Sequence, residues 1–118
     1  MVKLIAEICQ NHCGSRALLQ EMVAAAAESG ADYVKMQSIF SEDLTHRERF
    51  DEGKTDPDGT VRVIKRPYAA ERERLRKLDL TEGDHHFFME ECQKRGVTPM
   101  TTVFARHRIP FVGSLPWT

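Results

Sequence analysis

Residues 30 to 37 read Gly30-Ala31-Asp32-Tyr33-Val34-Lys35-Met36-Gln37, and just before them Leu19, Met22, Val23, Ala26 and Ala27 recur at three- and four-residue spacing. That spacing predicts an amphipathic helix from Arg16, with Gly30 where a C-terminal cap belongs. Ala31 to Ser38 then changes to strand character through Tyr33, Val34, Lys35 and Met36. Upstream, residues 3 to 9 (Lys-Leu-Ile-Ala-Glu-Ile-Cys) form a β-prone run. It ends in the polar segment Asn11-His12-Cys13-Gly14-Ser15, a loop with a turn glycine. Strand, helix and strand joined by short connections are most simply a parallel βαβ unit.

Downstream the pattern breaks. Residues 39 to 68 are rich in charge and turn residues, with Asp56-Pro57-Asp58-Gly59 as a tight turn. So long an excursion inside an α/β repeat is more often functional or flexible than structural. Helical character resumes from Ala69 to about Leu78, with Leu75 and Leu78 on one side. Its basic run Arg72, Arg74, Arg76 and Lys77 is interleaved with Glu71 and Glu73, the pattern of a solvated face. Thr81 is an N-cap with Asp84 at the third position, opening a helix through Phe88 and Cys92 to Gly96. Val97 to Phe104 reads as a third strand, followed from Arg106 by a loop and at most a short helix.

The composition bounds what such a chain does. It has 118 residues, 41% hydrophobic and 30% charged, enough for one compact domain with a core. A formal net charge of -1 produces no long-range field to gather nucleic acid or anionic lipid, so any anion must be bound locally. No apolar run is long enough to span a membrane. The charged N-terminal segment does not resemble a signal peptide, which predicts a cytoplasmic protein. The three cysteines, Cys9, Cys13 and Cys92, cannot all pair and are expected as free thiols.

Polar residues cluster where the predicted strands end. The first strand carries Glu7 and is followed by Asn11 and His12. The second carries Lys35 and Gln37, and the third ends with Thr101 and Thr102. In parallel α/β proteins the C-terminal strand edge is where sites form. Alternation places Lys35 and Gln37 on one face and Val34 and Met36 on the other. Glu7 and Thr102 can join that polar face. A lysine inside an apolar strand demands a partner, and two partners fit: a substrate phosphate or carboxylate, or Glu7 in an ion pair across adjacent strands.

The histidines are less informative. Cys9, His12 and Cys13 invite a zinc hypothesis, but no second ligand cluster accompanies them, so turn capping and loop packing are the plainer roles. His85 and His86 are expected as solvated or rim residues, and His46 stands isolated. No glycine-rich phosphate loop of the GxGxxG or GxxxxGK[ST] kind occurs.

Ala6-Glu7-Ile8-Cys9-Gln10-Asn11-His12-Cys13-Gly14-Ser15 closely resembles the AEIxxNHxG opening of the N-acetylneuraminate (sialic acid) synthase family. Residues 30 to 37 resemble its GADxVKxQ, and Leu78 to Asp84 its LxLxxxD helix entry. Met100-Thr101-Thr102-Val103-Phe104 stands where the family commonly has STPF, with threonine for serine and Val103 for proline. The motifs fall in the right order over about a hundred residues. The resemblance implies an α/β fold, specifically a partial (β/α)8 TIM barrel: its first three β/α units, with a long insertion after the second strand. It implies that residues 1 to 118 are the N-terminal part of that barrel, without its C-terminal half or the family's antifreeze-like domain.

The implied activity is condensation of phosphoenolpyruvate with an N-acetylated amino sugar, N-acetylmannosamine or a relative, to a nonulosonic acid plus phosphate. By similarity, Lys35 and Thr102 hold phosphoenolpyruvate and Gln37 contacts the sugar. Glu7 acts beside the reacting carbons as acid/base or as orienter of the attacking water. Thr101, Asn11 and His12 are further candidate substrate-binding residues. The family uses Mn2+ or Mg2+ with ligands on later strands, so no metal ligand is expected here. A homodimer is expected of a full-length enzyme, and inactivity of this stretch alone. Two alternatives stand beside this reading: another phosphoenolpyruvate-dependent aldol synthase on the same barrel, and a non-catalytic binding module. The long segment after the second strand is expected to border the sugar pocket.

Overall fold

A computed structural model describes residues 1–117. By its internal contacts the chain divides into two compact units: residues 1–39 with 78–118, and residues 40–77.

The larger unit is built on three parallel strands. β1 (Ile5–Cys9), β2 (Tyr33–Ser38) and β5 (Thr98–Val103) lie side by side in chain order. Helix α1 (Arg16–Glu28) connects the first two. Its start is set by Ser15, whose Oγ accepts the Leu18 N–H at 3.2 Å. Its end is set at Gly30, where φ of +82° suits a residue without Cβ. Helix α4 (Glu82–Arg95) leads into β5 and starts on a full capping box. The Thr81 hydroxyl accepts the Asp84 N–H, and the Asp84 carboxylate accepts the Thr81 N–H. Gly96 closes it in the left-handed conformation.

One face of the sheet is covered by these helices. Val34 and Met36 of β2 and Ile8 of β1 pack with Leu19, Val23 and Ala26 of α1. Phe88, Met89 and Cys92 of α4 complete that core, with Leu80, Val97 and Leu115. Phe88, Leu19, Val23, Val34 and Met36 are wholly removed from solvent. The helical and strand periods in the sequence therefore identify the buried stripe directly. Asp32 ties the starts of the first two strands, its carboxylate accepting the Leu4 N–H at 2.9 Å and Lys3 Nζ at 2.8 Å. After β5 a turn of 3-10 helix (Arg106–Arg108) runs into α5 (Ile109–Gly113).

The smaller unit has more order than its composition implies. It holds a 3-10 turn at Ser41–Asp43 and α2 (Arg49–Glu52), followed by β3 (Lys54–Thr55), which pairs antiparallel with β4 (Val61–Val63). The tight turn predicted at Asp56 to Gly59 joins them. Gly59 N–H donates to Asp56 O, and Asp56 N–H to Thr60 O, both at 2.9 Å. Helix α3 (Tyr68–Arg76) follows, its outer face carrying the ion pairs Arg74–Glu71 and Arg76–Glu73. His46 is not isolated: its Nε2 lies 2.6 Å from Asp51 Oδ2, and its ring stacks on Tyr68 at 4.8 Å.

Candidate functional site

On the sheet face opposite the helices, register brings the polar strand residues together. Glu7 is the partner of Lys35 across β1 and β2, and Gln37 is the partner of Thr102 across β2 and β5. Met100, the register partner of Lys35, shares this face and was not anticipated. The result is two rows one above the other: carboxylate, ammonium and thioether, then amide and hydroxyl. Side-chain exposures of 35% for Glu7 and 27% for Lys35 decide that the pair is open to a ligand, not sealed in a core.

The Glu7 ion pair that the sequence allows for Lys35 forms across the two strands. Lys35 Nζ donates to Glu7 Oε2 at 2.6 Å. The other oxygen, Oε1, accepts the Cys9 N–H at 3.0 Å. Burial pushes the Glu7 carboxyl up, but the bonds from Lys35 and the Cys9 backbone outweigh it. The carboxyl is held below its ordinary value and is ionised at neutral pH.

The Cys9 N–H reaches Glu7 because the strand is bent there. Register shifts between Glu7 and Cys9, and Cys9 has φ of +50°. Cys13, four residues on, has φ of +52°. Left-handed backbone at a residue with Cβ costs about 1–3 kcal/mol, and such positions gather at functional loops. Burial and then the Glu7 charge push the Cys9 thiol up, away from the thiolate form.

Asn11 is exposed on that loop. His12 is not at the surface. It is 1% exposed, and its Nδ1 accepts the Gly14 N–H at 3.0 Å, which leaves the proton on Nε2. That Nε2 is buried without a hydrogen-bond partner among the described residues. Burial pushes the His12 imidazole below its ordinary value, and the nearby Asp84 charge only partly offsets this.

Thr101 does not join the grouping. It pairs in register with Met36 and so points to the helix side. There its hydroxyl lies 2.7 Å from Ser38 Oγ and donates to Met36 O at 3.1 Å. Strand alternation alone separates Thr101 from Thr102. His85 corrects a second expectation: it is fully buried, with Nδ1 2.8 Å from Thr81 O and Nε2 3.1 Å from Ser38 Oγ. Helix periodicity carried the signal, since His85 precedes Phe88, Met89 and Cys92 on the covered stripe.

No group of three His, Cys, Asp or Glu side chains able to hold a metal exists among the described residues. The residues on the polar face do not fit a divalent cation, since their one carboxylate is committed to Lys35 and Cys9. The free cysteines are Cys9, Cys13 and Cys92, the last pushed up to about 12 by burial. No described helix is long and apolar enough to cross a membrane.

Comparison with known proteins agrees with the motifs. The chain is 34% identical over 115 residues to the N,N'-diacetyllegionaminic acid synthase of Legionella pneumophila, covering 95% of this chain and 30% of that protein. Its fold matches the N-acetylneuraminic acid (sialic acid) synthetase of Leptospira borgpetersenii with a TM-score of 0.64 at 24% identity. That match covers 95% of this chain and 32% of the other. A spore coat polysaccharide biosynthesis protein E of Chromobacterium violaceum matches with a TM-score of 0.66 at 18% identity, covering 97% and 31%. The chain therefore spans about a third of the length of these relatives. Because the NeuB family model matches residues 22–117 and 95% of this chain aligns with a synthase at 34% identity, this chain belongs to the NeuB family.

Proposed function

We propose that the chain supplies the first three strands of a (β/α)8 barrel and part of a phosphoenolpyruvate site at their C-terminal edge. The barrel condenses phosphoenolpyruvate with an N-acetylated amino sugar, N-acetylmannosamine or a diacetamido relative, to a nonulosonic acid and phosphate. The observation that carries this reading is the Glu7, Lys35, Gln37 and Thr102 grouping on the open sheet face. The synthase name of the 34% identical relative supports the product class.

In the reaction, the methylene carbon of phosphoenolpyruvate bonds to the sugar aldehyde carbon, whose oxygen takes up a proton. Water adds to the carbon bearing the phosphate, and phosphate leaves as that carbon becomes a ketone. The Lys35 ammonium suits an anionic phosphate or carboxylate as a point charge, and the Thr102 hydroxyl adds a donor. Gln37 offers both donor and acceptor to a sugar. Glu7, ionised in the ligand-free chain, is suited to accept a proton from the attacking water or to orient it. The divalent cation of the proposed condensation is assigned to no residue here.

Titration of the chain with phosphoenolpyruvate, followed by NMR at Lys35 and Thr102, tests the reading. Saturable shifts at both are expected. Lys35→Met should weaken binding by roughly tenfold to a hundredfold, the loss of about 1.5–3 kcal/mol for a charged hydrogen bond. Equal binding by the variant would sink the assignment. The chain alone is expected to give no nonulosonic acid when supplied with both substrates and Mn2+, and detected product would overturn that part.

A further inference from the structure

Directly behind Gln37 and Thr102, on the covered face, the buried Ser38 and His85 and the half-buried Thr101 form a continuous hydrogen-bonded line. Ser38 is 1% exposed and His85 is 0% exposed. The chemistry of the groups sets the direction of each bond. Thr81 O can only accept, so His85 Nδ1 carries the proton across the 2.8 Å bond. Burial pushes the His85 imidazole below its ordinary value, although the bond to Thr81 opposes this, and the ring is neutral at physiological pH. Nε2 is then an acceptor, and it takes the Ser38 hydroxyl proton across 3.1 Å. With its own proton spent on His85, Ser38 Oγ accepts from Thr101 at 2.7 Å. The Thr101 proton is thereby shared between Ser38 Oγ and Met36 O.

The line joins three separate elements: the capped start of α4 at Thr81, the last residue of β2 at Ser38, and β5 at Thr101. Its two strand members are the chain neighbours of Gln37 and Thr102, whose side chains point the other way. We propose that His85, Ser38 and Thr101 are positioning residues, which act through the backbone to hold Gln37 and Thr102 side by side on the ligand-facing side of the sheet. Apolar packing alone is nondirectional and tolerates small slides. A buried hydroxyl bonded at both ends does not, because a slide leaves it unsatisfied. The role of these residues in ligand binding rests on the phosphoenolpyruvate reading, but their effect on Gln37 and Thr102 does not.

The test compares His85→Leu, Thr101→Val and Thr101→Ser with Val23→Ala, a core variant in α1 remote from the line in sequence. The readouts are the His85 ring nitrogens, the Gln37 side-chain amide and the Thr102 methyl by NMR, and the phosphoenolpyruvate dissociation constant. Expected for the parent chain is a ring protonated at Nδ1. His85→Leu and Thr101→Val should displace the Gln37 resonance, His85→Leu that of Thr102, and each should weaken binding about tenfold. Thr101→Ser should restore both, and Val23→Ala should lose stability without moving either resonance. If His85→Leu does not fold, Thr101→Val against Thr101→Ser carries the comparison at Gln37. Unmoved resonances in Thr101→Val, or equal displacement by Val23→Ala, would overturn the proposal. Displaced resonances in a chain that binds no phosphoenolpyruvate would uphold the positioning role and remove the ligand.

Discussion

Glu7 carries a donor on each carboxylate oxygen, Lys35 on one and the Cys9 N–H on the other, and this sets its charge. Burial alone would raise its carboxyl, and Lys35 is the largest opposing influence. Lys35→Met is therefore expected to move the Glu7 titration upward, read from the side-chain carboxyl carbon by NMR against pH. An unmoved midpoint would show that the Cys9 N–H suffices. The residue types and alternation already placed Lys35, Gln37, Glu7 and Thr102 on one face. The sequence left open whether Glu7 reaches Lys35, because that depends on the register of two strands whose paired residues lie 28 apart in the chain.

Elements marked by a cap or a period were legible, and those too short to show either were not. The capping box at Thr81 and Asp84 is a four-residue pattern, and it forms as read. Thr81→Ala removes the hydroxyl that satisfies the Asp84 N–H but keeps the carbonyl that binds His85. It should cost about 1 kcal/mol of stability, visible as a lower urea midpoint with an unchanged slope. By contrast, β3 and β4 are only two and three residues long, too short for any period to show, and they exist because the Asp56–Gly59 turn folds them together. The burial of His85 was missed for a related reason. A histidine beside His86 at a helix start looks solvated until the opposite wall, Ser38 and the Phe111 ring at 5.5 Å, is in place.

For the whole molecule, two buried neutral imidazoles couple stability to pH. His12 and His85 both titrate below the ordinary value of 6.5 in the folded chain, because burial disfavours their charged forms. Unfolding exposes them and lets them bind protons near 6.5, so below that pH the unfolded chain holds more protons. Stability should be full above 6.5, fall as pH drops from there through the lowered folded values, and then flatten with respect to these two groups. Urea melts across this window check it. A His85→Leu variant that folds should have a shallower fall, and an identical slope would remove His85 from the account.

By itself, the sequence determined the parallel strand–helix–strand order, the caps, the buried stripe and the NeuB family motifs, because each follows from spacing along a short stretch of chain. The tertiary structure decided what spacing cannot: that Lys35 pairs with Glu7, that Thr101 meets Ser38, and that His85 closes the line behind them. Each of these joins side chains from different elements. Their partners are chosen by strand register and by the packing of α4 against the sheet, where an unpaired buried polar group costs more than any local preference returns.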